Sequence, residues 1–320
     1  FKDDPCMPGT MMFEACLHAA SFYMAALGYT VARDGWRFEP VPDLPYPLKC
    51  RGQVTPQSKH CVYEIFIEEV HDGNKPMLFA DFLCTVDGLK AFHARRVGIQ
   101  LTPDWPISSR PEILDGYVDP VPVAEADGFK FGYHSLIACA WGRPSEAFGP
   151  MYIPFDEGRH CARLPGPPYH FMTRVTKLTG AIGKMEIGTS IELEYEVPPE
   201  AWYFDEPATP SMPYCVLLEA ALQPCGWIAC YVGSALTVDE DLFFRNLDGT
   251  ATWHVEVLPT SGILRTQSKI TSISNAGGMI IQSFVVDCFL GDVHVYTMKT
   301  VFGFFPRDAL ANQIGISYTP

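Results

Sequence analysis

Residues 7–28 read MPGTMMFEACLHAASFYMAALG, and the way this stretch has to be buried decides the fold. Pro8 and Gly9 suit a helix start, where a proline pre-sets the first turn and its missing N–H is not needed. Beyond them Met, Phe, Ala, Leu and Tyr fall on every side of a 3.6-residue repeat. A helix that is apolar all round offers no face to water and is one that a protein wraps. Glu14 and His18 nonetheless lie four residues apart and so share a face. A carboxyl group among apolar side chains is unfavourable unless it is paired or used. Residues 212–233, MPYCVLLEAALQPCGWIACYVG, repeat the pattern, with Glu219 and Gln223 in the places of Glu14 and His18.

Working outward, the two halves of the chain agree in order and spacing. Met7 and Met212, Glu14 and Glu219, and His18 and Gln223 are each separated by 205 positions. Val54-Thr55-Pro56 matches Val257-Leu258-Pro259 at nearly the same offset. In each half a long helix precedes a run of strand-like segments. In the first these are 48–55, the alternating run 60–70 (HCVYEIFIEEV), and a hairpin of 76–86 and 89–101 through Asp87 and Gly88. In the second they are 236–245, 252–258, 264–274, 279–289 and 294–305. The second helix is also preceded by strand-like stretches at 169–178, 190–197 and 201–204, which the first half lacks, so the first half reads as cut off at its front. Residues 102–167 are rich in Pro and Gly, are too long for a simple loop, and hold one short helical pattern at 135–141. Pro224 inside the second helix is expected to kink or break it. The expected class is α+β: two antiparallel sheets, each curved round one helix. The expected units are 1–104, an ordered linker 105–167, 168–306, and a polar tail 307–320.

Composition narrows the partners. The 320 residues carry a net charge of −14, with 48% hydrophobic and 19% charged residues. That balance argues against nucleic acid or an anionic membrane as the main partner. Arg95 and Arg96 are one candidate basic patch for an acidic carrier, although a solvated surface pair is the preferred reading. The eleven cysteines show no Cys-x-x-Cys or Cys/His ligand spacing, which fits reduced core thiols of a cytoplasmic protein. No run of eighteen apolar residues is uninterrupted, so no membrane span is expected. The chain opens on Phe1 rather than Met and reads as part of a larger polypeptide.

Residues 1–9, FKDDPCMPG, followed by Glu14 and His18, resemble the H-F-x-x-D-P-x-M-P-G…D-x-x-x-Q segment of bacterial 3-hydroxyacyl-ACP dehydratase/isomerases with the hot dog fold. Gly52-Gln53-Val54-Thr55-Pro56 and residues 80–88 (ADFLCTVDG) resemble strand motifs of the same family. Residues 170–175 (HFMTRV) resemble its opening segment, and Ala201-Trp202-Tyr203-Phe204 the strand before its catalytic loop. The tandem arrangement is most similar to the dehydratase region of polyunsaturated fatty acid synthases. The resemblance implies a double hot dog and dehydration of a 3-hydroxyacyl thioester, with or without isomerisation. It implies no metal or organic cofactor. The implied partners are an acyl carrier protein, other domains of a fatty acid or polyketide synthase, and a second copy in a homodimer.

That reaction needs a base beside the carbonyl, an acid for the departing hydroxyl and donors for the enolate-like oxygen. A carboxyl group in an apolar helix keeps its proton near neutral pH, which suits Glu219. The resemblance makes Glu219, Gln223, Glu14 and His18 the catalytic candidates and Phe1, Pro8 and Gly9 the substrate-binding ones. It puts the family's His one position ahead of Phe1. The second half's loop, 204–211, has no His, and Tyr214 replaces Gly9 there. The expectation is one working site, pairing Gly9 with Glu219 and Gln223, and one degenerate site at Glu14 and His18. Two rival readings stand beside it. One is a hot dog thioesterase using either glutamate to activate water, and the other a non-catalytic acyl-binding or scaffold domain.

Overall fold

The computed structural model describes residues 3–31, 33, 36–102, 123–156, 159–205, 210–313 and 315. The first half comprises α1 (Gly9–Ala26), β1 (Arg37–Pro40), β2 (Pro45–Cys50), β3 (Cys61–His71), β4 (Met77–Val86) and β5 (Leu89–Thr102). A connecting region holds β6 (Glu125–Ala126), β7 (Phe129–Lys130), α2 (Tyr133–Ala138) and α3 (Pro144–Phe148). The second half comprises β8 (Arg174–Thr179), β9 (Ser190–Glu196), α4 (Trp202–Asp205), α5 (Tyr214–Tyr231) and β10 (Leu242–Trp253). It continues through β11 (Ile263–Ala276), β12 (Met279–Leu290), β13 (Val293–Pro306) and α6 (Arg307–Ala311).

The sequence repeat is a structural repeat down to single hydrogen bonds. Pro8 (φ −56°, ψ 141°) and Pro213 (φ −56°, ψ 145°) lead into α1 and α5 with the same backbone. The Met7 N–H donates to the Val54 carbonyl and the Met212 N–H to the Val257 carbonyl, each at 2.8 Å. So Met-Pro ahead of the helix and Val-x-Pro just after β2 and β10 are two ends of one tie, made twice. Both helices end where Gly28 (φ +91°) and Gly233 (φ +82°) take the left-handed conformation that closes a helix.

The architecture is a double hot dog. Each antiparallel sheet curves round its helix, in the order β3-β4-β5-β2 for the first half and β8-β9-β11-β12-β13-β10 for the second. The two sheets meet at β2 and β10, which pair antiparallel from Pro45 opposite Thr252 to Lys49 opposite Asp248. One continuous eleven-stranded sheet results, with β1 attached to β5. Arg51 fastens the same seam by donating to the Asp248 carboxylate and the Leu247 carbonyl. Arg37, opposite Thr102 at the end of β5, binds Glu256 at 2.8 Å and Glu39 at 3.0 Å.

Several elements differ from the sequence expectation, each for a local reason. The expected stretches 236–245 and 252–258 meet in one strand, β10, which takes in 242–245 and 252–253, while 236–241 and 254–258 lie outside any strand. Asn246-Leu247-Asp248-Gly249 looks like a turn but is absorbed as a β-bulge, because β13 and β2 pair with both sides. Residues 48–55 give way to an earlier β2, and β1 is an addition to the expected strands. Residues 201–204 are not a strand: after Pro198 and Pro199 the chain coils, with Ala201 N bonded to Pro198 O and Phe204 N to Ala201 O. Helix α5 runs unbroken through Pro224. The hairpin at Asp87 (φ +47°) and Gly88 (φ +88°) is as expected, both turn residues having the positive φ of a type I′ turn.

The two helices are not equally wrapped. All of α5 is buried except Leu222. Tyr214–Leu236, which includes α5, is long and apolar enough to cross a membrane, yet 94% of its most apolar eighteen-residue window is buried inside the fold, as in a core helix. Its outer side is roofed by the connecting region: Phe131 and Phe148 pack on Trp227 with ring centroids 5.1 and 5.5 Å away. Helix α1 buries only Thr10, Met12, Phe13, Cys16, Leu17, Ala20 and Met24. The expectation that it is buried on every side therefore fails, because among the described residues nothing roofs it. Phe22 is 76% exposed, while Trp227, its counterpart in the repeat, is 0% exposed. Truncating a fully packed aromatic leaves a cavity that the core cannot close, whereas truncating an exposed one leaves none. Trp227→Ala should lower the unfolding free energy by about 3–5 kcal/mol, and Phe22→Ala should change it by less than about 0.5 kcal/mol, both read from urea midpoints.

Candidate active site

The helix repeat places α1 and α5 against each other at the seam, with the start of α1 beside the second turn of α5. A cavity of about 110 Å³ opens there. Pro8, Gly9 and Thr10 line it from α1, Glu219 and Gln223 from α5, and Gln53 and Arg245 from the strands. Glu219 is 6% exposed. The Thr10 hydroxyl donates to Glu219 Oε2 at 3.3 Å, and Gln223 Nε2 approaches Glu219 Oε1 at 3.3 Å. Burial pushes the Glu219 carboxyl up to about 7, against the pull of those two donors. The group therefore changes protonation near neutral pH on a floor that it shares with the N-terminal turn of α1.

Gln223 is held from both ends of its amide. The Phe171 N–H donates to its Oε1 at 2.8 Å, and its Nε2 donates to the Tyr169 carbonyl at 2.8 Å. Because one backbone partner only donates and the other only accepts, the amide has one orientation, with its NH₂ toward Glu219. The Tyr169 hydroxyl then reaches round to Thr10 Oγ1 at 3.1 Å. Neither Thr10 nor Tyr169 is a candidate on sequence grounds. Thr10 is the one polar residue beside Gly9 in the first turn of an apolar helix, and that was the available signal. Tyr169 carried none. Arg245 lies at the cavity wall, bound to Asp4 at 2.6 Å and to Gln53 at 2.8 Å. Gly52 and Gln53 thus bring the Gly-Gln-Val-Thr-Pro motif to the site, while Val54 makes the helix tie.

The Glu14 and His18 pair is differently placed. His18 Nε2 lies 2.9 Å from Glu14 Oε1, and the imidazole side chain is 76% exposed. That bond to Glu14 raises the His18 pKa. Cys215, the repeat counterpart of Thr10, faces Glu14, and the carboxyl presses its thiol pKa upward in addition to the effect of burial. Glu14 Oε2 is buried without a hydrogen-bond partner among the described residues. Where Gly9 carries no side chain and lies against Cys50, the ring of Tyr214 stands at the corresponding place of α5. It packs on Phe13 at 5.4 Å and on Tyr46 and Tyr296 at 6.1 Å. A Cβ at Gly9 would stand 2.8 Å from Cys50 Sγ. Phe1, expected among the substrate-binding residues, lies outside the described residues. Arg96, one of the two arginines of the candidate basic patch, is bound to Glu68 at 3.0 Å and Glu69 at 2.8 Å. His254 and His294 sit 2.8 and 3.0 Å from Asp43 and Asp287, away from the cavity.

The family profile of the FabA-like domain matches residues 1–95 and 164–299, one stretch for each helix and its strands. The chain belongs to the FabA-like domain family. It is 23% identical, over 433 aligned positions, to one of the subunits of the polyunsaturated fatty acid synthase of Thraustochytrium sp.. The alignment covers 99% of this chain and 29% of that relative, so the chain spans under a third of its length. Among solved structures, the TesB protein of Mycobacterium avium subsp. paratuberculosis aligns at a TM-score of 0.49 and 14% identity, covering 94% of this chain and 88% of that one. A MaoC-like dehydratase aligns at 0.42 and 5% identity, covering 94% and 96%.

The electrostatics of Glu219 have two measurable consequences. Its folded pKa is raised above the unfolded value, so its contribution to stability is full below pH 4.5 and is lost as pH rises through about 7. Glu219→Gln should therefore match the parent near pH 4.5 and exceed its stability at pH 8, by on the order of 3 kcal/mol in urea unfolding. The Thr10 hydroxyl donates to the carboxyl and favours its ionised form. Thr10→Val should raise the Glu219 pKa, as followed by the carboxyl band in infrared difference titration.

Proposed function

We propose that the chain is a 3-hydroxyacyl-ACP dehydratase module of a polyunsaturated fatty acid or polyketide synthase. Its two hot dog units would be residues 1–104 and 168–306. The observation that carries this reading is a buried carboxyl, protonated up to about pH 7, on one cavity floor with the start of α1. In the proposed reaction, the imidazole that the family motif puts one position ahead of Phe1 takes the proton from C2 of the acyl chain. The C3–O bond breaks and the hydroxyl leaves as water with the proton of Glu219, and a C2=C3 double bond forms. The Gly9 N–H, free at the helix N-terminus, donates to the thioester oxygen as negative charge develops there. Gln223 keeps the Glu219 carboxyl aimed into the cavity. The proton that the base removes later resets Glu219. The substrate would enter on the phosphopantetheine arm of an acyl carrier protein from another part of the synthase.

The assay is hydration of a 2-enoyl thioester, and the reverse dehydration, by protein that carries the His ahead of Phe1. Glu219→Gln should lower kcat by about 10²-fold or more, the usual contribution of a general acid, while Glu14→Gln leaves it within about twofold. Because Glu219 works protonated, kcat for dehydration should fall as pH rises above about 7. Release of free thiol without enoyl product would replace this reading with a thioesterase. Acyl binding without turnover of either kind would replace it with a scaffold domain.

A further inference from the structure

A second cavity, of about 560 Å³, lies between the end of β9, the start of α4 and residues 168–173, and it shares no lining residue with the cavity that holds Glu219. That is the size of an ordinary small-molecule pocket. Its walls are largely aromatic. Tyr195 and Tyr203 are buried, their hydroxyls 2.9 Å apart. Trp202 stands at 78° to Tyr203 with ring centroids 5.6 Å apart, and Tyr133 at 74° to His170 with centroids 6.4 Å apart. The Trp202 indole N–H is spent on the Pro168 carbonyl at 3.1 Å, so the ring is fixed and offers its π-system rather than its donor. Tyr133 and Trp202 are nonetheless exposed. Two large aromatic side chains left in water beside a cavity mark a place for a ligand.

The polar groups set the charge of that ligand. Among the described residues no lysine or arginine lines the cavity, while Glu196 and Glu200 both do. Glu196 is taken by Arg174 at 2.7 Å. Glu200 is exposed and forms no ion pair among the described residues. His170 also lines the cavity and is only 8% exposed. Its Nδ1 lies 3.1 Å from the Pro165 carbonyl. A carbonyl only accepts, so Nδ1 carries the proton of the neutral ring and Nε2 is left as an acceptor. Burial holds the imidazole below its ordinary pKa and so keeps it neutral. Nε2 has no hydrogen-bond partner among the described residues. A buried acceptor without a donor is unfavourable, and this one belongs to the wall of a cavity whose charged groups are carboxylates. Phosphate and carboxylate ligands are disfavoured there. What completes the site is a positively charged group that can donate.

We propose that this cavity binds an organic cation bearing N–H groups, a guanidinium above all. A guanidinium has a flat face that stacks on an aromatic ring and donors spread around its edge. Trp202 and Tyr133 supply the rings, His170 Nε2 accepts one N–H, and Glu200 balances the charge. A quaternary ammonium would satisfy the rings but not the imidazole. The same group can arrive as a free arginine-like molecule or as an arginine side chain of a polypeptide. The site does not depend on the acyl chemistry proposed for the other cavity.

Titration calorimetry with Nα-acetyl-arginine methylamide tests this. The uncharged citrulline counterpart and tetramethylammonium should each bind about tenfold more weakly or worse. Trp202→Ala should weaken binding of the arginine compound by about tenfold and Glu200→Gln by about threefold. Both change exposed side chains, so the unfolding midpoint should stay where it is. Glu219→Gln, in the other cavity, should leave this binding unchanged. A Gly-Arg-Gly peptide blocked at both ends assigns the source. Tighter binding than the single residue supports a polypeptide arginine, and weaker binding supports a free molecule. Equal binding of the citrulline compound would overturn the proposal, as would no binding at about 10 mM. So would binding that is lost in Glu219→Gln and kept in Trp202→Ala, since the ligand would then occupy the other cavity.

Discussion

The hydrogen bond from Thr10 to Glu219 is the point on which the site depends, because it joins the two halves at the place where each is least able to tolerate water. Glu219 lies in the first turns of a helix buried almost all round, and Thr10 in the first turn of the other helix. Glu219 Oε1 has a donor in its own half, Gln223, while Oε2 takes its donor, the Thr10 hydroxyl, from the other. A carboxyl removed from water either ionises at a large desolvation cost or keeps its proton. Here burial is the larger effect, and the two donors aimed at the carboxyl, Gln223 and Thr10, offset only part of it. The same arrangement that makes Glu219 awkward to bury makes its proton available near neutral pH.

That arrangement is held by the frame rather than by loops. The Met7 and Met212 ties fix where each helix starts relative to its own sheet. The β2–β10 pairing then fixes the two sheets relative to each other. The distance from Thr10 to Glu219 is set by these two constraints together. A shift of register at the seam would therefore move every residue of one half of the cavity relative to the other. The bulge at Asn246 and Asp248 lets β10 follow both β13 and β2, and it lies next to Arg245, which lines the cavity. The strand is thus bent where the site needs wall rather than floor.

Much of this was legible in the sequence because the duplication supplies its own control. One buried glutamate in a helix is open to several readings, but two at a constant offset behind Met-Pro fix the helices, their order and their facing residues. The hairpin strands were legible from period-two alternation and from Asp-Gly. Three things were not. The fusion of the two sheets depends on pairing between strands about two hundred residues apart, and neither β2 nor β10 carries a mark of it. The continuity of β10 from Leu242 to Trp253 was hidden because residues such as Asn246, Asp248 and Gly249 favour turns in isolation and tolerate a bulge in context. The exposure of α1 was missed because apolar composition shows what a helix side could bury, not whether anything is there to bury it.

The inequality of the two possible sites comes from substitutions at matched positions acting on a frame that is otherwise symmetric. Gly9 lies against Cys50 with no room for a Cβ, and it lines the cavity. Tyr214 puts a ring at the same point of the other helix, and the ring is held among Phe13, Tyr46 and Tyr296. The aromatic cluster contributes burial and edge-to-face packing at the seam, so the half that gives up an opening gains core. Cys215 in place of Thr10 then removes the strong hydroxyl donor from Glu14, and His18 in place of Gln223 turns to solvent. A duplicated fold can in this way convert one of two equivalent cavities into packing that steadies the remaining one.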